Sequence, residues 1–211
     1  MERCEISMAL KNHGITADTL GNIMLGAGTI YKNLKYTAGE GVGAGDWSGT
    51  QLGATSGGIT FSYEPEYLDV EVDGATVAVK GLTKQKVAET ASIKGNMTEV
   101  TEGVVVDALH LTEDTSKSVE GVHKCYTTKA NIEDSDYLDN IAYVGFTSSG
   151  KQIIIILPNA ICISAFELAG ENKSQTTFEV EFTCTGSLES GDLTKLPLEI
   201  YYPQSTKTAQ V

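Results

Sequence analysis

Alternation of apolar and polar residues predicts that this chain folds mainly as half-buried strands. Residues 59–64 alternate in this way and residues 68–73 repeat the pattern, with Pro65 predicted to occupy the turn between two strands. The Asp73-Gly74 pair then predicts a hairpin that leads directly into a third strand, because this turn requires residues that tolerate positive φ. The longest clean alternation covers residues 178–185 and predicts a strand with one buried and one solvated face.

One segment, residues 102–111, has the pattern of a helix. Thr101 precedes it as a capping residue, and Glu102 suits the positive end of the helix dipole. Gly103 lowers its helix propensity by about 1 kcal/mol relative to alanine. Shorter apolar runs predict additional strands, two of which are joined by a turn at residues 148–150. These strands are predicted at residues 23–34, 90–96, 141–147, 151–157, 161–168 and 198–202.

Many strands and one helix predict a mainly β fold, a β-sandwich or β-barrel with one flanking α-helix. A chain of 211 residues, 41% of them hydrophobic, is long and apolar enough to bury such a core. We expect a single β domain at residues 21–202, preceded by an N-terminal arm at residues 1–20. A polar C-terminal tail follows at residues 203–211.

Residues 37–58 are rich in glycine and are predicted to form a long loop. Loops of this length within a compact domain are uncommon and are usually functional or disordered. A surface excursion without a function is one interpretation. The other is a docking loop, because Trp47, the only tryptophan of the chain, is suited to anchor a partner surface.

The charge balance argues against nucleic-acid binding. The chain carries 28 acidic and 15 basic residues, a formal net charge of −13 at pH 7. Binding to a polyphosphate depends on Lys and Arg that displace condensed counterions. We therefore expect the chain to repel DNA.

Neither export nor membrane insertion is expected from the sequence. The charged first residues do not fit a signal peptide, and the apolar run at residues 153–157 is far shorter than the roughly 20 residues of a membrane-spanning helix. Cys4, Cys125, Cys162 and Cys184 are widely spaced without a Cys-x-x-Cys pair. This spacing favours reduced cysteines in a cytoplasmic product over a zinc or redox site.

Candidate catalytic and metal-binding patterns are weak. No two of His13, His110 and His123 have the spacing of a helical zinc pair. The acidic segment 133–139 resembles a fragment of a calcium loop but lacks its glycine and its terminal glutamate. The glycines of residues 41–46 precede strands and not a helix, unlike a phosphate-binding loop. We therefore expect no catalytic site, no cofactor and no metal.

Three segments carry a resemblance to a known family. Residues 53–81 read GATSGGITFSYEPEYLDVEVDGATVAVKG: a glycine-rich loop end, an alternating hairpin, a Val-Asp-Gly turn and a Lys-Gly close. Residues 26–33 (GAGTIYKN) precede this block, and residues 90–101 follow it and lead into the helix. In this order the segments resemble the phage major tail proteins, the tail tube family, over roughly residues 20–110.

The resemblance implies a β-sandwich with a flanking helix whose subunits form hexameric rings that stack into a hollow tube. It implies a non-enzymatic structural role in the tail of a virion, assembled in the cytoplasm of the bacterial host. The implied partners are the chain itself, a tape-measure protein, and tail initiator and terminator proteins, with DNA passing without tight binding. In the family a long loop reaches the neighbouring ring, and here that element corresponds to residues 37–58. Its candidate contact residues are Gly41, Asp46, Trp47 and Leu52.

An acidic strand face is the expected lining of such a tube, because it would let a polyanion slide without sticking. Two faces are candidates; for the first, the alternatives are an ordinary solvated surface and a general acid and base pair. The first comprises Asp69, Glu71 and Asp73, and the second comprises Glu179 and Glu181. A different function also fits a β-sandwich: a virion or cell-surface module that recognises carbohydrate or a receptor. Its candidate aromatic residues are Tyr36, Trp47, Tyr63 and Tyr67.

Overall fold

The computed structural model describes residues 14–16, 18–40, 45–74, 76–170 and 172–203. These residues form a mainly β fold built on one large antiparallel sheet, consistent with a β-sandwich. The strands are β1 (Thr29–Ala38), β2 (Gly45–Gln51), β3 (Thr55–Asp69), β4 (Lys84–Met97), β5 (Leu111–Glu113), β6 (Tyr126–Thr128), β7 (Leu138–Phe146), β8 (Gln152–Cys162), β9 (Phe178–Cys184) and β10 (Glu199–Tyr201). The helices are α1 (Thr19–Asn22) and α2 (Glu102–Leu109), with 3-10 turns at Asp134–Asp136 and Leu188–Ser190.

The large sheet curls so that its two ends approach each other. Its strand order is β2-β1-β7-β8-β9-β4-β3, and β10 pairs with β8 beside β9. The end strands β2 and β3 are joined by residues 52–54 alone. The amide of Leu52 donates to the carbonyl of Ile30 at 2.9 Å, and the amide of Thr98 donates to the carbonyl of Ala54 at 2.9 Å. These bonds tie the connection to β1 on one side and to the end of β4 on the other.

The main core lies between the curled halves of the sheet. Cross-strand pairs place Phe61, Ile93 and Phe182 in one row that faces this core. The alternation predicted at residues 178–185 is thereby confirmed, since β9 buries every second residue. Helix α2 covers one end of the core with Val104 and Ala108.

Helix α2 confirms the predicted helix and its cap. The amide of Val104 donates to the Thr101 hydroxyl at 3.3 Å, which satisfies one of the free amides at the helix start. The helix ends at Leu109, earlier than predicted, because His110 adopts a left-handed conformation with φ of 51°. Lys32 on β1 holds the helix through a 2.7 Å ion pair with Asp107.

The prediction of a long loop at residues 37–58 is wrong for the residues of this range that the structure describes. Much of it belongs to strands β1, β2 and β3, and β1 and β2 form a hairpin. At Asn33, where φ is 54°, the register of this hairpin shifts. Beyond that point the Asn140 side chain accepts from the Leu34 amide at 2.8 Å and donates to the Leu34 carbonyl at 3.1 Å.

The hairpin folds over the outer face of β7 and β8 and creates a second, smaller core there. Leu34 of β1 is buried in this cluster, and Trp47 of β2 packs against it. The strands beneath contribute Ala142, Val144, Ile154 and Ile156.

Other strand predictions also need correction. Residues 59–69 form one continuous strand through Pro65, not two strands joined by a turn. An edge strand tolerates proline because one of its edges has no ladder partner. Residues 73–74 do form a turn, but the next strand begins only at Lys84, and residues 163–168 lie outside the strands. The turn at residues 148–150 and the strand pair that it joins, β7 and β8, are confirmed.

Candidate assembly surfaces

The outer face of β9, β4 and β3 is mainly polar, with the exposed Ile163 beside Glu64 and Glu181. Successive side chains of a strand point to opposite faces of the sheet, so the residues that alternate with the core-facing ones point outward. One cross-strand row consists of Ser62, Ser92 and Thr183, and the next consists of Thr60, Lys94 and Glu181. We call this surface the polar face.

Carboxylates outnumber cations on the polar face. Glu64 and Glu66 of β3 join Glu179 and Glu181 of β9, and Lys94 stands between them. The Lys94 ammonium lies 2.8 Å from a Glu179 carboxylate oxygen, and this hydrogen bond raises the pKa of Lys94. One cation therefore neutralises one of four carboxylates, and the face stays acidic at neutral pH.

The two predicted acidic faces have different outcomes. Glu179 and Glu181 lie together on the polar face, each partly exposed. Asp69 is the last residue of β3, on the side opposite Glu64, where Lys84 pairs with it at 2.7 Å. Glu71 and Asp73 lie beyond β3 in the connection to β4, so the predicted strand face shared by these three acids is wrong.

Glu89 connects the β3–β4 ribbon to the segment before β10. Its side chain, 10% exposed, accepts from the Tyr63 hydroxyl at 2.5 Å, from the Leu196 amide at 2.7 Å and from the Lys86 ammonium at 3.0 Å. The Tyr63 hydrogen bond, followed by those from Lys86 and Leu196, lowers the pKa of Glu89 to about 2. No local sequence pattern marks this carboxylate, because its partner Leu196 is distant along the chain.

An aromatic cluster lies where the hairpin meets β8 and β10. The Trp47 ring centroid is 5.1 Å from that of Tyr36 and 4.9 Å from that of Tyr201. Beside it is a cavity of about 350 Å³, which we call the aromatic pocket. Its lining consists of Tyr36, Trp47, Gln152, Ile154, Tyr201, Tyr202 and Pro203.

The predicted docking residues do not form one exposed loop. Leu52 is 3% exposed and belongs to the main core, so the expectation that a partner buries it is wrong. Trp47 is half-buried against its own subunit. Asp46 is exposed and accepts from the Trp47 amide at 2.8 Å. Gly41 lies outside the described residues.

Comparisons with known proteins leave the family of this chain open. No protein-family model and no curated protein matches it. A chain from the tail of an empty gene transfer agent particle with C6 symmetry has a TM-score of 0.38 at 11% identity, covering 84% of this chain and 96% of that one. A chain from the virion of a native gene transfer agent particle has a TM-score of 0.37 at 13% identity, covering 72% of this chain and 88% of that one.

The acidic segment at residues 133–139 has a structural explanation. Glu133 and Asp136 form a capping box around the first 3-10 turn, and Lys129 pairs with Asp136 at 2.7 Å. Among the described residues, no group of three or more His, Cys, Asp or Glu side chains is placed to hold a metal ion. Within the same residues, no helix is long and apolar enough to cross a membrane.

The aromatic residues proposed for a surface-binding module are divided between two places. Tyr36 and Trp47 belong to the aromatic pocket. Tyr63 and Tyr67 lie on the β3–β4 ribbon, where both are exposed. Tyr201 and Tyr202 complete the pocket, and no sequence motif marks them, because Tyr201 ends the short strand β10 and Tyr202 directly follows it.

Proposed function

We propose that this chain is the structural subunit of a bacteriophage tail tube, which assembles as stacked hexameric rings into a hollow conduit for genome delivery. The observation that carries the proposal is the polar face, an acidic and hydroxyl-bearing surface backed by a continuous core row. The resemblance of residues 53–81 to the tail tube family supports the proposal independently. This segment contains β3 and the turn at residues 73–74.

The polar face has the chemistry that a DNA conduit requires. Double-stranded DNA binds where cations displace its counterions, and carboxylates repel it. A bore lined by Glu64, Glu66, Glu179 and Glu181, together with serine and threonine hydroxyls, lets the duplex pass without a binding site. We assign this face to the lumen. Asp69, Glu71 and Asp73 lie elsewhere and are not part of it.

Ring formation gives the sheet ends a partner. In the described residues β2 and β3 stand at the two ends of the strand order, each paired on one edge only. Pairing with neighbouring subunits around a ring removes such edges, and stacking of rings is a heterologous contact that extends into a filament. The proposed partners are further copies of the chain, a tape-measure protein, and tail initiator and terminator proteins. The assembled tube belongs to the virion tail and forms in the cytoplasm of the bacterial host.

The contact between rings is proposed beside the β1–β2 hairpin, with Asp46 of β2 as its described residue and Gly41, outside the described residues, as the candidate that the sequence adds. Trp47 then has a supporting role, since it fixes the hairpin to its own subunit through Tyr201. Leu52 stabilises the main core and makes no contact with the neighbouring ring.

The test is negative-stain electron microscopy of the purified chain at high concentration, beside two variants. We expect rings or hollow tubes with six-fold end views for the parent. Trp47→Ala releases the hairpin and should reduce tube formation, whereas Tyr137→Ala, an exposed aromatic outside the hairpin, should not. Uniform small particles for the parent would contradict the proposal. They would favour a virion or cell-surface binding module with the aromatic pocket as its carbohydrate or receptor site.

A further inference from the structure

An uncharged apolar segment precedes β1 and lies exposed along the β7–β8 turn. Residues 19–25, which we call the apolar strap, contain no charged side chain. The Leu25 amide donates to the Phe146 carbonyl at 3.1 Å, and the Ser148 amide donates to the Ile23 carbonyl at 2.8 Å. These bonds fix the backbone of the strap beside β7. They leave its largest side chains in solvent: Leu20 (72% exposed), Leu25 (61%), Ile23 (44%) and Met24 (41%).

The aromatic pocket is the second uncharged surface. Its lining has no acidic and no basic residue, and Ile154 lies among its aromatic walls. Its cavity of about 350 Å³ accommodates one or two aliphatic side chains. Tyr202, 64% exposed, stands at its rim with Gln152, the first residue of β8.

The charge of the chain restricts where two copies can meet. At a net charge of −13, two copies repel each other over most of their surface. Contiguous exposed apolar groups indicate an interaction site, and the cost of desolvation is lowest where no charge is buried. The strap supplies aliphatic side chains without charge, and the pocket supplies an aromatic receptor without charge.

We propose that the apolar strap of one copy inserts into the aromatic pocket of a second copy, with Leu20 and Leu25 as the inserted side chains. The strap is bonded on the β7 side of the β7–β8 hairpin, whereas β10 places the pocket on the β8 side. Each molecule therefore presents both surfaces at once. Such a contact is heterologous and passes from copy to copy. The proposal names a subunit contact for the tube and in that respect rests on the proposed function.

The test uses two variants of the full chain that each destroy one surface. The strap variant is Leu20→Asp/Leu25→Asp, and the pocket variant is Gln152→Glu/Tyr202→Asp. The matched control is Leu188→Asp, at a leucine that is 86% exposed elsewhere on the molecule. Sedimentation velocity over a concentration series gives the size of each species, and circular dichroism checks that every variant is folded.

We expect the parent and the control to self-associate, and each variant to do so at least about tenfold more weakly, because a carboxylate must enter an apolar contact. Mixing the two variants should give a heterodimer through this contact, since the strap variant retains the pocket and the pocket variant retains the strap, and this contact cannot extend the pair further. A strap variant that associates like the parent, or a mixture without heterodimer, would overturn the inference.

Electron microscopy of the same samples separates this inference from the proposed function. Tubes from both parent and strap variant would refute the strap contact and leave the tube proposal standing. Strap-dependent oligomers that never form rings or tubes would support the contact and refute the tube. A parent that stays monomeric at every concentration would overturn both.

Discussion

At the residue scale, the lowered pKa of Glu89 predicts how the stability of the fold changes in acid. Its pKa falls from an ordinary 4.5 to about 2 because Tyr63, Lys86 and Leu196 all donate to the ionised carboxylate. As the pH falls, the unfolded chain takes up the proton first. The stabilising contribution is therefore complete above about pH 4.5 and is lost as the pH falls toward 2.

We therefore expect Glu89→Gln to lower the melting temperature at neutral pH and to flatten its decline between about pH 5 and pH 2.5. The glutamine carries no charge to attract Lys86, and it does not titrate. Thermal melts followed by circular dichroism across this range measure the effect. Glu66→Gln, on the exposed side of the same ribbon, is the control and should retain the parent's profile. Parallel profiles for the parent and Glu89→Gln would contradict the assignment.

Two glycines before β1 allow the cost of a strained backbone to be compared with the added cost of steric crowding. Gly26 and Gly28 both have positive φ, of 92° and 74°. A Cβ at Gly26 meets open space, whereas a Cβ at Gly28 would overlap the Tyr143 ring. We expect Gly26→Ala to cost about 1 kcal/mol of unfolding free energy, and Gly28→Ala to cost about 1–3 kcal/mol more. Urea unfolding measures both, and equal losses would show that Tyr143 does not crowd this turn.

At the element scale, the β1–β2 hairpin depends on one buried amide. Asn140, 9% exposed, bonds both backbone polar groups of Leu34, as a neighbouring strand would. Removing this side chain leaves a buried amide and carbonyl without partners, at a cost of about 1–3 kcal/mol for each group. We expect Asn140→Ala to speed hydrogen exchange in residues 34–38 and 45–51 and to leave β9 unchanged.

Hydrogen exchange followed by mass spectrometry reads this out segment by segment. Asn96→Ala, an exposed asparagine on β4, is the control and should leave the hairpin protected. Unchanged exchange in the hairpin of Asn140→Ala would show that Trp47 and Tyr201 hold it without the amide.

The β1–β2 hairpin could not be predicted from the sequence, in contrast to β9. Strand β9 could be predicted because its own alternation between core and solvent is complete. The hairpin could not, since glycine favours loops and the partners that hold it, Asn140 and Tyr201, lie far along the chain. The turn predicted at Pro65 was wrong for a related reason. A proline is tolerated within an edge strand, and only the order of strands in the sheet shows that β3 is one.

The same limit applies to the candidate surfaces. Glu179 and Glu181 were found because alternation within one strand places them on one face. Glu64 and Glu66 join them only through the pairing of β3 with β4 and of β4 with β9, which no local pattern encodes. The aromatic pocket likewise needs the hairpin folded onto β8 and β10.

At the scale of the whole molecule, the proposed assignment of the polar face to the lumen predicts what charge reversal would do to the proposed tube. Glu64→Lys/Glu181→Lys changes two polar-face carboxylates to ammonium groups on every subunit. Both side chains point away from the core, so tubes should still assemble. Each subunit then presents two further cations to passing phosphates, and every phosphate contact releases about 0.9 counterion. We expect such tubes to retain duplex DNA at low salt and to release it as salt rises.

Retention is measured by pelleting purified tubes with fluorescent duplex DNA over a salt series. Glu113→Lys/Glu120→Lys is the matched control, because it makes the same change of charge beside β5, away from the polar face. If the polar face lines the bore, the control tubes bind DNA on their outer surface only, and a nuclease removes it. DNA held by the polar-face variant lies inside the tube and resists the nuclease. Equal nuclease sensitivity of the two variants would place the polar face outside the lumen.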